Sequence, residues 1–173
     1  MIKTLIHTTT SLEANPVIDF FELEKLEVSD YKVYSNDEIL LIESGVSKEQ
    51  IFESLLYVVE NYEISKAFDF STAYSCETSV AVGTLFCTNK LIYGINFATS
   101  TTLNRDFEED EVAQTLLVDK QEKYFKEFFK EQKDEIDTFT FKVVSKYYAD
   151  EDLAKDRVYS LMFNACKKIQ RYI

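Results

Sequence analysis

Residues 38–48, Glu38-Ile-Leu-Leu-Ile-Glu-Ser-Gly-Val-Ser-Lys48, decide the fold. An apolar strand runs into a glycine and then into a helix whose start is written in its side chains. Ser47 and Gln50 have the spacing of a capping box. A glycine at that junction lets the backbone turn tightly and approach a ligand closely. The chain holds only 3 glycines in 173 residues, so one placed between a strand and a helix is informative. In open α/β sheets ligands bind at the carboxyl ends of strands, which makes Gly45 a candidate binding residue.

Outward from this segment, strands and helices take turns. The pattern predicts a single α/β domain over residues 1–173, a three-layer αβα arrangement with a central mixed sheet. Residues 3–8 read as the first strand. The helix that follows starts either at Asn15-Pro16, an N-cap with a favourable N1 proline, or at Thr10, which has capping-box spacing to Glu13. Residues 31–35 and 38–43 read as a hairpin closed at Asn36-Asp37. Residues 47–62 carry apolar side chains at helical spacing on a broad face. Residues 66–71 predict a short strand and 72–78 a polar turn. Residues 80–88 and 91–98 predict a hairpin closed near Asn89-Lys90. The polar, like-charged run 99–111 predicts a mobile loop. A strand at 115–118, a helix at 120–132 capped by Asp119 with Glu122, a strand at 138–144 and a helix from about 151 complete the chain.

Composition removes several function classes. Hydrophobic residues make up 46% of the chain, a core-forming share that argues against disorder. The net charge of −12 repels nucleic-acid backbones and anionic membranes, so neither is an expected partner. The C-terminal cations Lys167, Lys168 and Arg171 are read as completing a helix end. The 3 cysteines lack metal-ligand spacing and there is 1 histidine, so neither a metal nor a cofactor is expected. No leader and no spanning run is legible, which predicts a cytoplasmic protein. Cys76 and Cys87 read as small buried residues, His7 as a core or strand-end histidine, and the acidic cluster 106–111 as a solvated loop.

The order of short motifs resembles the nucleoside phosphorylase and methylthioadenosine/adenosylhomocysteine nucleosidase superfamily. Ser-Leu-Glu-Ala-Asn-Pro at 11–16 is similar to the family's Glu-Ala-x-Pro entry to helix one. Leu-Ile-Glu-Ser-Gly-Val-Ser-Lys at 41–48 is similar to its Ser-Gly-Ile-Gly-Lys turn. Val-Gly-Thr-Leu at 82–85, Leu-Val-Asp at 117–119 and Val-Val-Ser-Lys at 143–146 resemble its Val-Gly-Asp, Val-Asp-Met-Glu and Val-Ser-Asp segments. The resemblance implies an αβα fold and N-glycosidic cleavage of purine nucleosides. It also implies nucleoside and phosphate as ligands and a homo-oligomer; from its own residues the Phe-rich helix around Tyr124, Phe125, Phe128 and Phe129 reads as core or subunit contact. Glu13 then activates the attacking water or positions phosphate, Thr72 and Gln121 hold ribose, and the base lies near Lys146.

The departures are as informative. Phe70-Ser-Thr-Ala-Tyr-Ser75 replaces a glycine-rich turn, with Tyr74 where close backbone approach to ribose is expected. Lys120-Gln121 replaces the ribose-binding Met-Glu pair. Lys146 replaces the Asp that protonates the leaving purine, and an ammonium, with an ordinary pKa near 10.4, is a poor acid for neutral pH. The chain is also shorter than typical members, with the loss around residues 99–114. These changes predict weak or lost turnover, or a non-catalytic binding or subunit-interaction protein that keeps the fold. Each candidate also has a structural reading: Glu13 as a capping-box residue, Thr72 as a turn hydroxyl, Gln121 as a first-turn helix residue, and Lys146 as a stem over apolar surface.

Overall fold

In the first strand successive apolar side chains point to opposite faces of a sheet, so both faces must be covered. The computed structural model describes residues 2–27, 30–103, 115–132, 136–147 and 154–173. Strand β1 (Lys3–Thr8) lies parallel between β4 (Ile39–Glu43) and β5 (Ile64–Ser75), and β10 (Asp137–Tyr147) runs parallel to β5 on its other side. At one edge the short strand β3 (Lys32–Ser35) pairs antiparallel with β4, and β2 (Glu24–Lys25) pairs antiparallel with β3. β6 (Leu85–Cys87) and β7 (Asn96–Phe97) extend the other edge.

Ile6, Ile39, Leu41, Phe68 and Phe141 face helices α1 (Ser11–Phe21) and α4 (Lys155–Ile169). Leu5, Leu40, Ile42 and Ala67 face α2 (Lys48–Asn61) and α3 (Glu122–Glu131). The period-2 alternation therefore builds the predicted three layers around a mixed sheet. Among the described residues no helix is long and apolar enough to cross a membrane.

The junction read first from the sequence forms as expected. Ser47 accepts from Gln50 N–H at 3.2 Å, and the Gln50 side chain accepts in return from Ser47 N–H at 3.1 Å. Gly45 has φ of 94°, and a Cβ there would lie 2.6 Å from Gln50 Oε1. The Asn36 side chain closes the β3–β4 hairpin by accepting from Glu38 N–H and Ile39 N–H.

Other boundaries differ. Helix α1 begins at Ser11 and Pro16 lies inside it, so the Asn15 start is incorrect and Thr10 is the N-cap. Strand β5 continues through Ser75, because β10 pairs with it as far as Tyr147 and β9 (Leu117–Asp119) meets Tyr74 and Ser75 antiparallel. Thr72 is thus a strand residue and not a turn residue. The expected hairpin over residues 80–98 does not form. β6 and β7 pair in parallel, since the chain turns back at Ile92–Ile95 and β6 takes β10 as its antiparallel partner. Ser100–Thr102 form β8, parallel to β9. The remainder of the expected 99–111 loop, the acidic cluster included, and the predicted helix start near 151 lie outside the described residues.

On the α2/α3 side of the sheet sits a charged cluster that ties four elements together. Lys142 in β10 is fully buried, and its ammonium donates to Asp69 of β5 and to Ser71, both at 2.6 Å. It pairs with Asp119 of β9 at 2.9 Å and lies 4.0 Å from Glu122 of α3. His7 Nδ1 meets the other Asp69 oxygen at 2.9 Å, its Nε2 lies 2.8 Å from Ser44 Oγ, and its ring stacks on Phe125. Glu122 is held further by Thr88, Ser100 and an ion pair to Lys126.

Burial alone raises a carboxyl pKa, but Lys142 and the His7 hydrogen bond outweigh it and bring Asp69 down to about 2. Burial also works against the Lys142 ammonium, yet Asp119, Asp69 and Glu122 together raise its pKa above the ordinary value of 10.5. Asp69 is depressed, so its contribution is fully present above the ordinary 3.8 and fades as pH falls toward about 2. Lys142 is raised, so its contribution is full below 10.5 and fades at more alkaline pH.

Two expectations follow from this cluster and from the α2 cap. Lys142→Met strands buried carboxylates and should cost about 3–5 kcal/mol in urea unfolding. Lys142→Met combined with Asp69→Asn should cost less than the sum of the singles, and the Lys142→Met deficit should shrink as pH falls, starting above 3.8, because Asp69 has then lost the charge that most lowers its pKa and takes up its proton earlier. Ser47→Ala should cost about 1 kcal/mol by the same measurement, through the lost cap on α2.

Candidate functional site

At the carboxyl ends of β5, β9 and β10, facing the start of α1, is a cavity of about 420 Å³. That is within the range of small-molecule sites, roughly 300–1,000 Å³. Glu13, Thr72, Gln121 and Lys146 all line it, with Thr9 and Tyr74. Four of the five residues expected at the site therefore meet in one place. Gly45 does not line this cavity. It borders a neighbouring hollow with Ser44 and Gln50, while the next residue, Val46, reaches the cavity wall. The turn keeps the segment close, because Gly45 N–H donates to Thr9 O at 3.1 Å.

Glu13 is the most firmly placed of these groups. Its Oε1 accepts from Thr72 N–H at 2.8 Å and from the Thr72 hydroxyl at 3.0 Å, and Oε2 accepts from the Thr9 hydroxyl at 2.9 Å. The backbone N–H of Thr72 is available for this because β1 ends at Thr8, below the level of Thr72, and β9 joins that edge of β5 only at Tyr74. The helix start at Ser11 places Glu13 in the first turn of α1, but Thr10 makes no side-chain cap bond, so Glu13 does not act in a capping box. The Glu13–Thr72 link is instead a cross-element contact with a carboxylate at the cavity wall.

Gln121 is the N-cap of α3. Its neighbour Asp119 accepts from Glu122 N–H at 2.8 Å and from the Thr102 hydroxyl at 2.6 Å while paired to Lys142, so the buried ammonium fixes the turn that presents Gln121. Lys146 lies at the end of β10, after a register shift against β5, with its ammonium 4.6 Å from the Tyr74 ring centroid. Tyr74 thus forms a wall of the cavity and the space beside it stays open.

The cysteines offer no nucleophile. Burial raises the pKa of Cys76 and pushes that of Cys166 up to about 12. Among the described residues no group of His, Cys, Asp and Glu has the arrangement of a metal site. Sequence reasoning missed Lys142, Asp69, Ser71 and Glu122. The available signal was Lys142 between Phe141 and Val143 and Asp69 between Phe68 and Phe70, since buried charges occur almost only when paired.

No family model matches the sequence, and no curated protein matches it. Solved structures do. A variant of the MTAN of Chlamydia trachomatis superposes with a TM-score of 0.77 at 14% identity, covering 99% of this chain and 99% of that one. The 5′-methylthioadenosine/S-adenosyl homocysteine nucleosidase of Campylobacter jejuni gives a TM-score of 0.77 at 11% identity over 99% of this chain and 98% of that one. A futalosine hydrolase mutant of Helicobacter pylori gives 0.76 at 11% identity, over 98% and 97%. The Chlamydia protein has also been solved bound to MTA and to adenine. The chain has the fold of these nucleosidases and of the futalosine hydrolase.

Proposed function

We propose that the cavity is a diverged nucleoside site that takes a purine nucleoside and cleaves the N-glycosidic bond slowly or not at all. The observation that carries this reading is the placement of Glu13, with Thr72 and Thr9 fixing both of its oxygens at the wall of a small-molecule cavity. A carboxylate held this way is preorganised to orient a water or the hydroxyl of a sugar.

The chemistry around it is altered. When the glycosidic bond breaks, its electron pair leaves with the base, and a nearby acid must protonate the base for the bond to cleave readily. Lys146 stands there with a compact charge over Tyr74, where the resemblance implies a carboxylic acid. A carboxylate at the ribose position accepts hydrogen bonds from both hydroxyls, whereas the amide of Gln121 offers one acceptor and one donor group. Electrostatic groups of this kind are often worth several kcal/mol in a transition state, so losing two suppresses turnover while binding can persist. The same pair of replacements supports a second reading, in which the protein binds a nucleoside or a partner subunit without chemistry. Fold alone does not separate the two.

Purine release from methylthioadenosine, adenosine and inosine, with and without phosphate, should fall far below the ordinary enzyme range of roughly 1–1,000 per second. Lys146→Asp with Gln121→Glu should raise it at least about tenfold, a change of ~1.4 kcal/mol in barrier. Release at ordinary rates by the unaltered chain would show that the replacements are tolerated and that it is a working enzyme. Glu13→Gln keeps an acceptor for Thr72 and should cost about 1 kcal/mol in chemical denaturation. It should also abolish whatever base release the chain or the restored variant shows; unchanged release would remove Glu13 from the site.

A further inference from the structure

His7 takes no part in the cavity at the strand ends, yet its ring is fully buried and both of its nitrogens are engaged. Nδ1 meets Asp69 Oδ1 at 2.9 Å, Nε2 meets Ser44 Oγ at 2.8 Å, and Phe125 stacks on the ring. Three neighbouring strands supply the three groups: Ser44 directly follows β4, His7 lies in β1 and Asp69 in β5. A hydroxyl bonded to a base that is itself oriented by a third group is the arrangement of nucleophilic acyl-transfer sites.

The protons follow from the partners. Burial raises the Asp69 carboxyl, yet Lys142 and His7 bring it down to about 2, so at neutral pH it is ionised and can only accept. Nδ1 therefore carries a proton, and in the neutral ring Nε2 is the acceptor that faces Ser44. The Ser44 hydroxyl has three acceptors in reach: Nε2 at 2.8 Å, the Gly45 carbonyl at 2.9 Å and the Thr8 carbonyl at 3.4 Å. Only the first is a base able to take the proton away.

Ser44 also stands where a ligand can reach it. The chain turns through Gly45 at φ of 94° and enters α2, a strand-to-helix turn of the kind that exposes a nucleophile above a sheet. Ser44 borders the hollow of about 320 Å³ beside the larger cavity, at the small end of the range for ligand sites, roughly 300–1,000 Å³. Among the described residues this lining holds Asp30, Glu43 and Glu53 against Lys32, which is already paired with Glu43, so an anionic ligand is disfavoured. The three backbone N–H groups after Ser44 are engaged, Gly45 with Thr9 O, Val46 and Ser47 with Gln50 Oε1. A single oxyanion donor is worth about 10²–10³ in rate, so a site with these donors occupied opens only esters that carry a good leaving group.

We propose that Ser44, His7 and Asp69 form a second, nucleophilic site that takes the acyl group of an uncharged, activated ester. Ser44 Oγ bonds to the carbonyl carbon while its proton passes to His7 Nε2. The bond from that carbon to the leaving oxygen breaks, and the departing alcohol takes the proton from Nε2. Water then attacks the acyl-serine by the same route, which releases a carboxylic acid and restores the hydroxyl. Asp69 is the positioning residue, since it fixes the tautomer and touches no reacting atom. This activity is independent of the nucleoside reading.

The test treats the full chain with an uncharged fluorophosphonate ester, which phosphonylates activated serines with loss of fluoride, and locates the label by peptide mass spectrometry. Ser44 should be labelled at least about tenfold faster than any other serine. His7→Gln, shown to be folded by its melting temperature, should slow this at least about 100-fold. The chain has 1 histidine, so imidazole ¹⁵N spectra of the unaltered protein at mildly alkaline pH report its tautomer without a variant. They should show Nδ1 protonated and Nε2 bare. p-Nitrophenyl acetate should acetylate Ser44 in a burst of about one equivalent of nitrophenolate, absent from Ser44→Ala. Label spread evenly over the serines, or none on Ser44, overturns the proposal and leaves Ser44 as a hydrogen-bond donor to Gly45 O. A protonated Nε2, or unchanged labelling in folded His7→Gln, overturns the assignment of His7 as the base. None of these outcomes bears on Glu13 or on nucleoside binding.

Discussion

A single ammonium group, buried in the middle of the sheet, sets much of what surrounds it. Lys142 contacts Asp69 and Asp119 and lies near Glu122, and these residues come from β10, β5, β9 and α3. Removing such charges from water costs several kcal/mol per ion, so the cluster is a poor source of net stability. Its effect is on register. The β5–β10 pairing sets Lys142 opposite Ser71, and the ammonium bonds both Ser71 and Asp69. A slip by one residue would turn Lys142 toward the apolar face covered by α1 and α4 and expose Phe141 to the charged side. The aligned strands are therefore the arrangement that leaves no buried charge alone.

From that register follows the geometry of the cavity. Asp119, held by Lys142, accepts from Glu122 N–H in the first turn of α3 and thereby places Gln121 and Lys120 on the wall. β5 is long enough to outrun β1, which frees Thr72 N–H for the Glu13 carboxylate. The site is thus built from strand ends whose lengths differ, and the unequal lengths supply the polar groups. The cluster and the cavity lie side by side and share Asp119.

How far the sequence could be read depends on whether the deciding contacts are local. The β4 strand, Gly45 and the α2 cap were legible because each rests on residues within one turn of each other, and the Asn36 hairpin likewise. The layer order was legible from alternation in β1 and β4. The extent of β5 was not, because residues 72–75 carry a small polar composition that reads as a turn and become strand only by pairing with β9 and β10. The hairpin over residues 80–98 failed for the same reason, since β6 found its antiparallel partner far along the chain in β10. Of the candidate site, Glu13, Thr72, Gln121 and Lys146 were named from motif order and do meet at one cavity, whereas Gly45 stands one residue outside it. The buried salt-bridge cluster had no motif to announce it.

The lining of this cavity departs from the pattern that the resemblance implies. A site that breaks a glycosidic bond with carboxylic acids uses groups whose protons can be exchanged near neutral pH, and it tolerates few fixed cations near the leaving base. Here Lys120 and Lys146 replace neutral or acidic residues expected from the resemblance, and Lys155 adds a third ammonium at the start of α4. Gln121 and Tyr74 at the same wall depart from that pattern too, so the replacements are of mixed character, while Glu13 keeps three donors from Thr72 and Thr9.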